Sequence, residues 1–148
     1  MKAVKKIDIH AHAVPWPNLT PPYKKGGTRK LSVAELFSEY YEKLSVEKCV
    51  LLPVVSPEGT MEPVTSEMAC VSAMENSDRA FWFCGVDPRA ISNKEGASLG
   101  YLLEHYKSLG AKGVGEVTAN LYADDKKMEN LFSACAALSM PVTIHIAK

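Results

Sequence analysis

The sequence predicts an α/β protein built on a parallel β-sheet. Short apolar segments of strand length alternate along the chain with longer segments in which apolar residues recur at helical spacing. This strand–helix unit recurs roughly every 30 to 40 residues, which is typical of right-handed βαβ units. The 148 residues are 47% hydrophobic, enough to form the packed core of one ordinary domain. We therefore expect a single domain over residues 1–148.

The first predicted strand covers residues 7–12, which read Ile-Asp-Ile-His-Ala-His. Successive side chains of a strand point to opposite faces, so Asp8, His10 and His12 share one face. A segment rich in proline and glycine follows over residues 15–30 and is too long for an ordinary connection. We interpret this segment as a functional loop.

The first predicted helix begins at a capping box, in which Ser32 precedes Glu35 by three residues. Apolar residues then recur at helical spacing for roughly three turns. The expected inner face of this helix comprises Val33, Leu36, Phe37, Tyr40 and Leu44.

The later elements follow from the same two periodicities. Gly110 is expected to end the third helix, and Asp124 or Asp125 to cap the fourth. The predicted order after the first helix is strand 49–55, helix 65–76, strand 81–86, a helix through Leu99, Leu102, Leu103 and Tyr106, strand 112–117, a helix with the inner face Met128, Leu131, Phe132, Cys135 and Leu138, and strand 141–147.

Two architectures fit this order of elements. An open doubly wound sheet is favoured by length, since a (β/α)₈ barrel normally needs about 250 residues. The chemistry favours the barrel, because no glycine-rich phosphate loop follows the first strand and potential ligands end several different strands. We therefore predict a (β/α)₈ TIM-barrel type of fold that is truncated after strand five, which is a partial barrel.

Charge and cysteine content exclude several classes of function. Lysine plus arginine equals aspartate plus glutamate at 17 each, so no basic field indicates a nucleic-acid partner.

No apolar run approaches the ~20 residues of a membrane span, and no secretory leader is evident, so a cytoplasmic protein is expected. The cysteines form no Cys-Xaa-Xaa-Cys pair and are predicted to be reduced core thiols: Cys49, Cys70, Cys84 and Cys135.

Candidate metal ligands lie at or near the carboxyl ends of the predicted strands. His10 and His12 share a face of the first strand, Glu116 ends the fourth, and His145 lies in the fifth. Each alone has an ordinary structural explanation, such as a hydrogen-bonded strand histidine or a carboxylate at the rim of a sheet. Together they bring nitrogen and oxygen donors to the edge of a parallel sheet at which its strands have their carboxyl ends, and this arrangement predicts a divalent metal site. Only His105, on a predicted surface helix, is outside this group.

Motifs along the whole chain resemble the amidohydrolase superfamily. They are Ile-Asp-Ile-His-Ala-His at strand one, Val-Asp-Pro-Arg after strand three, Gly-Val-Gly-Glu-Val at strand four and Pro-Val-Thr-Ile-His-Ile at strand five. The narrower resemblance is to the N-terminal part of the amidohydrolase-2 branch, which includes metal-dependent hydrolases and non-oxidative decarboxylases of aromatic or muconate-type acids. It implies that His10, His12 and His145 bind zinc, with manganese as the alternative. The implied reaction uses metal-activated water on a small amide, ester or carboxylic acid.

The sequence also departs from that family. A further histidine follows strand six there, and an aspartate that moves the proton follows strand eight, whereas this sequence ends at Lys148. The catalytic residue is therefore unassigned, and a non-catalytic folded or oligomerising remnant is an alternative function. Open sheet edges in a partial barrel predict self-association into a homo-oligomer.

A second resemblance competes within the same fold. Gly-Glu at strand four and Pro-Val-Thr-Ile-His at strand five also resemble the TatD-type metal-dependent deoxyribonucleases, in which a strand-four glutamate bridges two ions. Glu116 matches that position, but Val-Thr-Ala-Asn-Leu follows it instead of Gly-Leu-Asp, and no arginine follows His145. The nuclease is therefore the alternative function.

Arg89 is the candidate residue for substrate binding. It lies beside Asp87, where strand three enters its loop, and its guanidinium could bind a substrate carboxylate with two hydrogen bonds. A structural role in the loop is an equally good interpretation from the sequence.

Overall fold

The computed structural model of the protein describes residues 4–20, 29–59 and 64–146. The predicted loop over 15–30 lies partly outside these ranges, as does the end of the predicted strand 141–147. Strands and helices alternate along the described ranges, as the sequence predicts. They are β1 (Lys6–Ala11), α1 (residues 33–44), β2 (Val46–Leu51), a short 3₁₀ turn (Pro57–Gly59), α2 (Ser66–Glu75), β3 (Ala80–Trp82), α3 (Leu99–Ser108), β4 (Val114–Val117), α4 (Lys126–Ala137) and β5 (Val142–Ile144).

All strand pairings among these elements are parallel, and consecutive strands are neighbours. β1 pairs with β2 and β2 with β3, while β4 pairs with β5. A parallel bridge between Cys84 and Val114 joins the two groups, and the Cys84 N–H donates to the Gly113 carbonyl at 2.9 Å. The described strands therefore follow one another around a continuous parallel sheet.

A backbone contact across the sheet shows that it is strongly curved. The Glu116 N–H, in β4, donates to the carbonyl of Pro53, just after β2, at 2.9 Å, although β3 lies between these strands. In a flat sheet, strands separated by one neighbour lie about 9.5 Å apart. The carboxyl ends of the strands therefore turn toward one another, as in a barrel.

Apolar side chains fill the space between the strands and the helices. The largest fully buried ones include Leu51, Leu52, Leu99, Leu103 and Leu131. All four cysteines are free and buried, as the sequence predicts. Burial raises the pKa of the Cys84 thiol to about 12, which keeps it protonated at neutral pH.

The capping box at the start of α1 is confirmed, but the predicted inner face is partly wrong. Tyr41 is buried, whereas Tyr40 and Leu44 are about half exposed. The reason is a π-helical segment, Phe37–Tyr41, between the α-helical turns Val33–Leu36 and Glu42–Leu44. A π-helical turn is wider than an α-helical one, so it shifts the residues that follow it around the helix axis.

Several predicted strand bounds also differ from the structure. β2 covers Val46–Leu51 instead of 49–55, because Pro53 lacks an N–H and the chain leaves the ladder before it. β3 and β5 are shorter than predicted, covering Ala80–Trp82 and Val142–Ile144. None of the helices in the described ranges is long and apolar enough to cross a membrane.

The outer face of β1 carries exposed apolar side chains. Ile7 is 57% exposed and Ile9 is 72% exposed. Among the described residues, β1 pairs only with β2, so its other edge has no neighbour. The homo-oligomer expected from open edges stays a prediction.

Candidate metal centre

His10 is placed by an irregularity in β1. Asp8 pairs with Cys49 and Ala11 pairs with Leu51. β1 therefore advances three residues over a stretch in which β2 advances two. Ile9 and His10 therefore lie in a β-bulge, which re-aims side chains locally. The N–H of His10 donates to Asp8 Oδ1 at 2.9 Å, and the Tyr41 hydroxyl donates to Asp8 Oδ2 at 2.6 Å.

His12 follows β1 directly, and a backbone hydrogen bond fixes its ring. Its Nδ1 lies 2.8 Å from the carbonyl oxygen of Leu52, which can only accept, so Nδ1 carries the proton and donates. In the neutral ring Nε2 then has a free lone pair. Such a second contact on the far ring nitrogen is typical of histidines that bind metal ions.

Glu116 enters the site through a backbone conformation that favours glycine. Gly115, the residue before it in β4, has φ +138°, and a Cβ atom added there would lie 2.6 Å from the carbonyl oxygen of Thr143. Gly115 thus lets β4 approach β5 closely. The Glu116 side chain is only 5% exposed, so its carboxylate is buried among the histidines.

Three donor atoms converge at this point. Nε2 of His10 and Nε2 of His12 are 3.3 Å apart, and Oε2 of Glu116 lies 3.2 Å from the first and 3.3 Å from the second. Ligands of a tetrahedral zinc ion, each about 2.0–2.1 Å from the metal, are about 3.3 Å from one another. The donor set and its spacing therefore fit a divalent metal ion.

His145 lies beside the same carboxylate on its other side. It follows β5, and its N–H donates to the Val117 carbonyl at 3.0 Å, which continues the β4–β5 ladder. Its Nδ1 lies 2.5 Å from Oε1 of Glu116. The structure thus brings together His10, His12, Glu116 and His145, but only the first three form the tight donor triangle.

Arg89 lies in a separate cluster of charges. Its guanidinium donates to both oxygens of Glu58, at 2.8 and 2.6 Å, and to both oxygens of Asp87, at 2.8 and 2.7 Å. Burial works to raise the pKa of Asp87, but hydrogen bonds from Arg89 outweigh it and lower that pKa. The same guanidinium lowers the pKa of Glu58. Arg89 therefore links the loop after β3 to the 3₁₀ turn after β2.

Sequence reasoning did not assign roles to Tyr41 or Glu58. Tyr41 ends the π-helical segment of α1, for which the sequence pattern gave no indication, and its hydroxyl contacts Asp8. Glu58 is an acidic residue in a connection between elements, where charged residues are ordinary. His105 lies exposed on α3, outside the donor cluster, as the sequence predicts.

Solved structures with a similar fold include TIM-barrel proteins and enzymes. An uncharacterised TIM-barrel protein from Bordetella bronchiseptica matches 95% of this chain and 55% of its own, at 15% identity and a TM-score of 0.67. A probable 2-pyrone-4,6-dicarboxylic acid hydrolase from Acinetobacter baumannii, with citric acid bound, matches 97% of this chain and 50% of its own, at 14% identity and a TM-score of 0.62. A 5-carboxyvanillate decarboxylase from Novosphingobium aromaticivorans, with bound manganese, matches 80% of this chain and 36% of its own, at 18% identity and a TM-score of 0.55.

These similarities establish the fold. The chain has the TIM-barrel type of α/β fold, with parallel strands in partial sheets, as predicted, and the open doubly wound sheet is excluded. The chain spans between 36% and 55% of the length of these structures. No protein-family model and no curated protein matches the chain.

Proposed function

We propose that this chain forms the metal-binding part of an amidohydrolase-type hydrolase or decarboxylase. The observation that carries the proposal is the donor triangle of His10, His12 and Glu116, whose sides are 3.2, 3.3 and 3.3 Å. His145, on the second oxygen of Glu116, is proposed as a further ligand. Zinc suits this set of nitrogen and oxygen donors, and manganese is the alternative because a structural neighbour carries it.

A divalent ion in such a site lowers the pKa of bound water toward about 7 and polarises a carbonyl oxygen. The protein's own residues prepare the site for it. Leu52 holds His12 in the tautomer that presents Nε2, and Glu116 supplies a buried negative charge. Because lone pairs of His12 and Glu116 face each other at 3.3 Å, a cation between them relieves their repulsion.

We further propose a small carboxylic acid as substrate, with Arg89 as the group that binds its carboxylate. Two of the structural neighbours are named for acids, a pyrone dicarboxylic acid and carboxyvanillate. The proposal is supported by the two-point contact that the Arg89 guanidinium makes with the Glu58 carboxylate, since a substrate carboxylate has the same geometry. A substrate carboxylate would bind there by replacing Glu58.

Metal titration tests the proposed site. The wild-type chain is expected to bind zinc or manganese stoichiometrically, and the His10→Ala/His12→Ala double variant is expected to lose this binding. His105→Ala is the matched control, since His105 is an exposed histidine on α3 and should leave metal binding unchanged. Absence of metal uptake by the wild-type chain, or equal uptake by the double variant, would overturn the proposal.

One observation favours a second candidate function, a TatD-type deoxyribonuclease. The two oxygens of Glu116 face different histidines, Oε2 toward His10 and His12 and Oε1 toward His145. A carboxylate arranged in this way could bridge two ions, as two-metal nucleases require. Metal-dependent cleavage of a DNA oligonucleotide, lost in Glu116→Gln, would support this function over the first.

A further inference from the structure

We propose that Tyr41 and Asp8 are positioning residues for the metal site, and that they set its affinity by holding the β1 bulge that presents His10. This inference rests on the proposed metal site. It concerns residues that lie outside the donor triangle, because neither Tyr41 nor Asp8 belongs to the group of His10, His12 and Glu116.

The β-bulge leaves backbone groups of β1 without their usual hydrogen-bond partners in β2, so these groups need other partners. Between the Asp8–Cys49 and Ala11–Leu51 pairs, β1 has one residue more than β2. Asp8 supplies one such partner, since its Oδ1 accepts the N–H of His10 at 2.9 Å. This contact spans only two residues, so it fixes the backbone of the bulge locally and thereby the direction of the His10 side chain.

Tyr41 fixes Asp8 in turn. Its hydroxyl donates to Asp8 Oδ2 at 2.6 Å, which leaves Oδ1 directed at the His10 N–H. The two oxygens of one carboxylate thus join α1 to the bulge in β1. A carboxylate held at both oxygens has little freedom to rotate, so the Tyr41 hydroxyl restrains His10 through Asp8.

Tyr41 lies at the end of the π-helical segment of α1 and is buried. Tyr41 is 6% exposed, and its ring packs edge-on against Phe37, with the ring centroids 5.0 Å apart. The neighbouring Tyr40, which α-helical spacing places on the inner face, is instead 52% exposed. π-helical segments are rare and often occur at functional sites, where they reposition a side chain.

Outer-shell partners of metal-binding histidines typically change metal affinity by about 10–100-fold when they are removed. Tyr41→Phe removes only the hydroxyl and keeps the buried ring, so we expect it to raise the Kd for zinc about tenfold. Asp8→Ala is expected to do at least as much. Tyr40→Phe removes the same hydroxyl from the exposed neighbour and is the matched control, with an expected Kd equal to that of the wild type.

Asp8→Asn distinguishes positioning from charge. Its amide oxygen can still accept from His10 and its amide nitrogen can donate to the Tyr41 oxygen, so both contacts remain possible without the negative charge. A positioning role predicts a zinc Kd within about threefold of the wild-type value, compared with the larger change that a lost outer-shell contact causes. A loss as large as that of Asp8→Ala would overturn the positioning role in favour of a charge effect.

A second measurement uses the metal-free chain, so that failure of this inference and failure of the proposed function can be told apart. Hydrogen exchange of the His10 amide, followed by NMR, should be about tenfold faster in Tyr41→Phe than in Tyr40→Phe. The reason is that losing one hydrogen bond changes the equilibrium between the closed and the exchange-competent state by about that factor. If the wild-type chain binds no metal, the proposed function fails, while this exchange difference still decides whether the restraint exists. Equal exchange in the two variants would overturn the inference, as would unchanged zinc affinity in Tyr41→Phe.

Discussion

The carboxylate of Glu116 and the imidazole of His145 are in contact, with 2.5 Å between Oε1 and Nδ1. The contact joins the ends of β4 and β5. The second oxygen of the same carboxylate faces His10 and His12 at 3.2 and 3.3 Å. Glu116 is therefore the residue on which the proposed site is centred, although His10 and His12 give the stronger sequence motif.

Replacing Glu116 by glutamine should remove the negative charge from the triangle and leave one neutral amide oxygen in place of two carboxylate oxygens, while keeping the size of the side chain. We expect the Kd for zinc or manganese to rise more than about 100-fold, a larger change than the loss of an outer-shell contact causes. Isothermal titration of the variant against the wild type measures it. Glu104→Gln, an exposed change on α3, should bind as the wild type does. Full affinity in Glu116→Gln would refute the assignment of Glu116 as a ligand.

Gly115→Ala should destabilise the fold at the junction of β4 and β5. The new Cβ would lie 2.6 Å from the Thr143 carbonyl oxygen, and φ +138° is a strained conformation for alanine. Strained backbone of this kind costs about 1–3 kcal/mol, and the steric overlap adds to that cost. Urea unfolding measures the change in the free energy of unfolding.

Gly100→Ala is the matched control for that experiment. Gly100 lies in α3, and a Cβ added there would meet nothing within 4 Å outside the helix's own backbone. Gly100 is the second residue of α3, where alanine is favoured over glycine by less than the ~1 kcal/mol of a helix interior, so this variant should be at least as stable as the wild type. Equal effects of the two substitutions would contradict the packing described at Gly115.

Arg89→Gln should destabilise the protein in a manner that depends on pH. The variant leaves the buried Asp87 carboxylate without its cationic partner, which we expect to cost about 1–3 kcal/mol at pH 7. Arg89 lowers the pKa of Asp87 and of Glu58 in the folded protein. A lowered pKa adds stability above the pKa of the unfolded chain, about 3.9 to 4.3 for these residues, and this stability is lost as the pH falls through the folded values.

The difference in stability between wild type and Arg89→Gln should therefore be largest near neutral pH and shrink below about pH 4. Urea midpoints at a series of pH values measure it. Arg79→Gln is the control, because the Arg79 guanidinium lies 3.9 Å from Glu42 and 3.6 Å from Asp78 at the surface. A difference that stays constant from neutral to acidic pH would show that Arg89 acts through packing and not through these carboxylates.

Much of the fold could be predicted because it depends on local periodicity. The helix 66–75 lies close to its predicted range, and the helix 126–137 begins after Asp125, one of its two predicted caps. The caps at Thr65 and Asp125 are formed by side chains with short-range hydrogen bonds. Strand ends were predicted less well. They depend on which backbone groups find partners across the sheet, as where Leu52 donates to Ala11 after β2 has ended.

The sequence by itself determined the order of the elements, the shared face of His10 and His12, and the presence of donors at several strand ends, since these follow from residue types and their spacing. Only the tertiary structure decided that Glu116 lies between His10 and His145, and that Tyr41 instead of Tyr40 reaches Asp8. Curvature of the sheet and the π-helical segment of α1 produce these contacts. Both arise from packing between residues far apart in the chain, which a local pattern does not record.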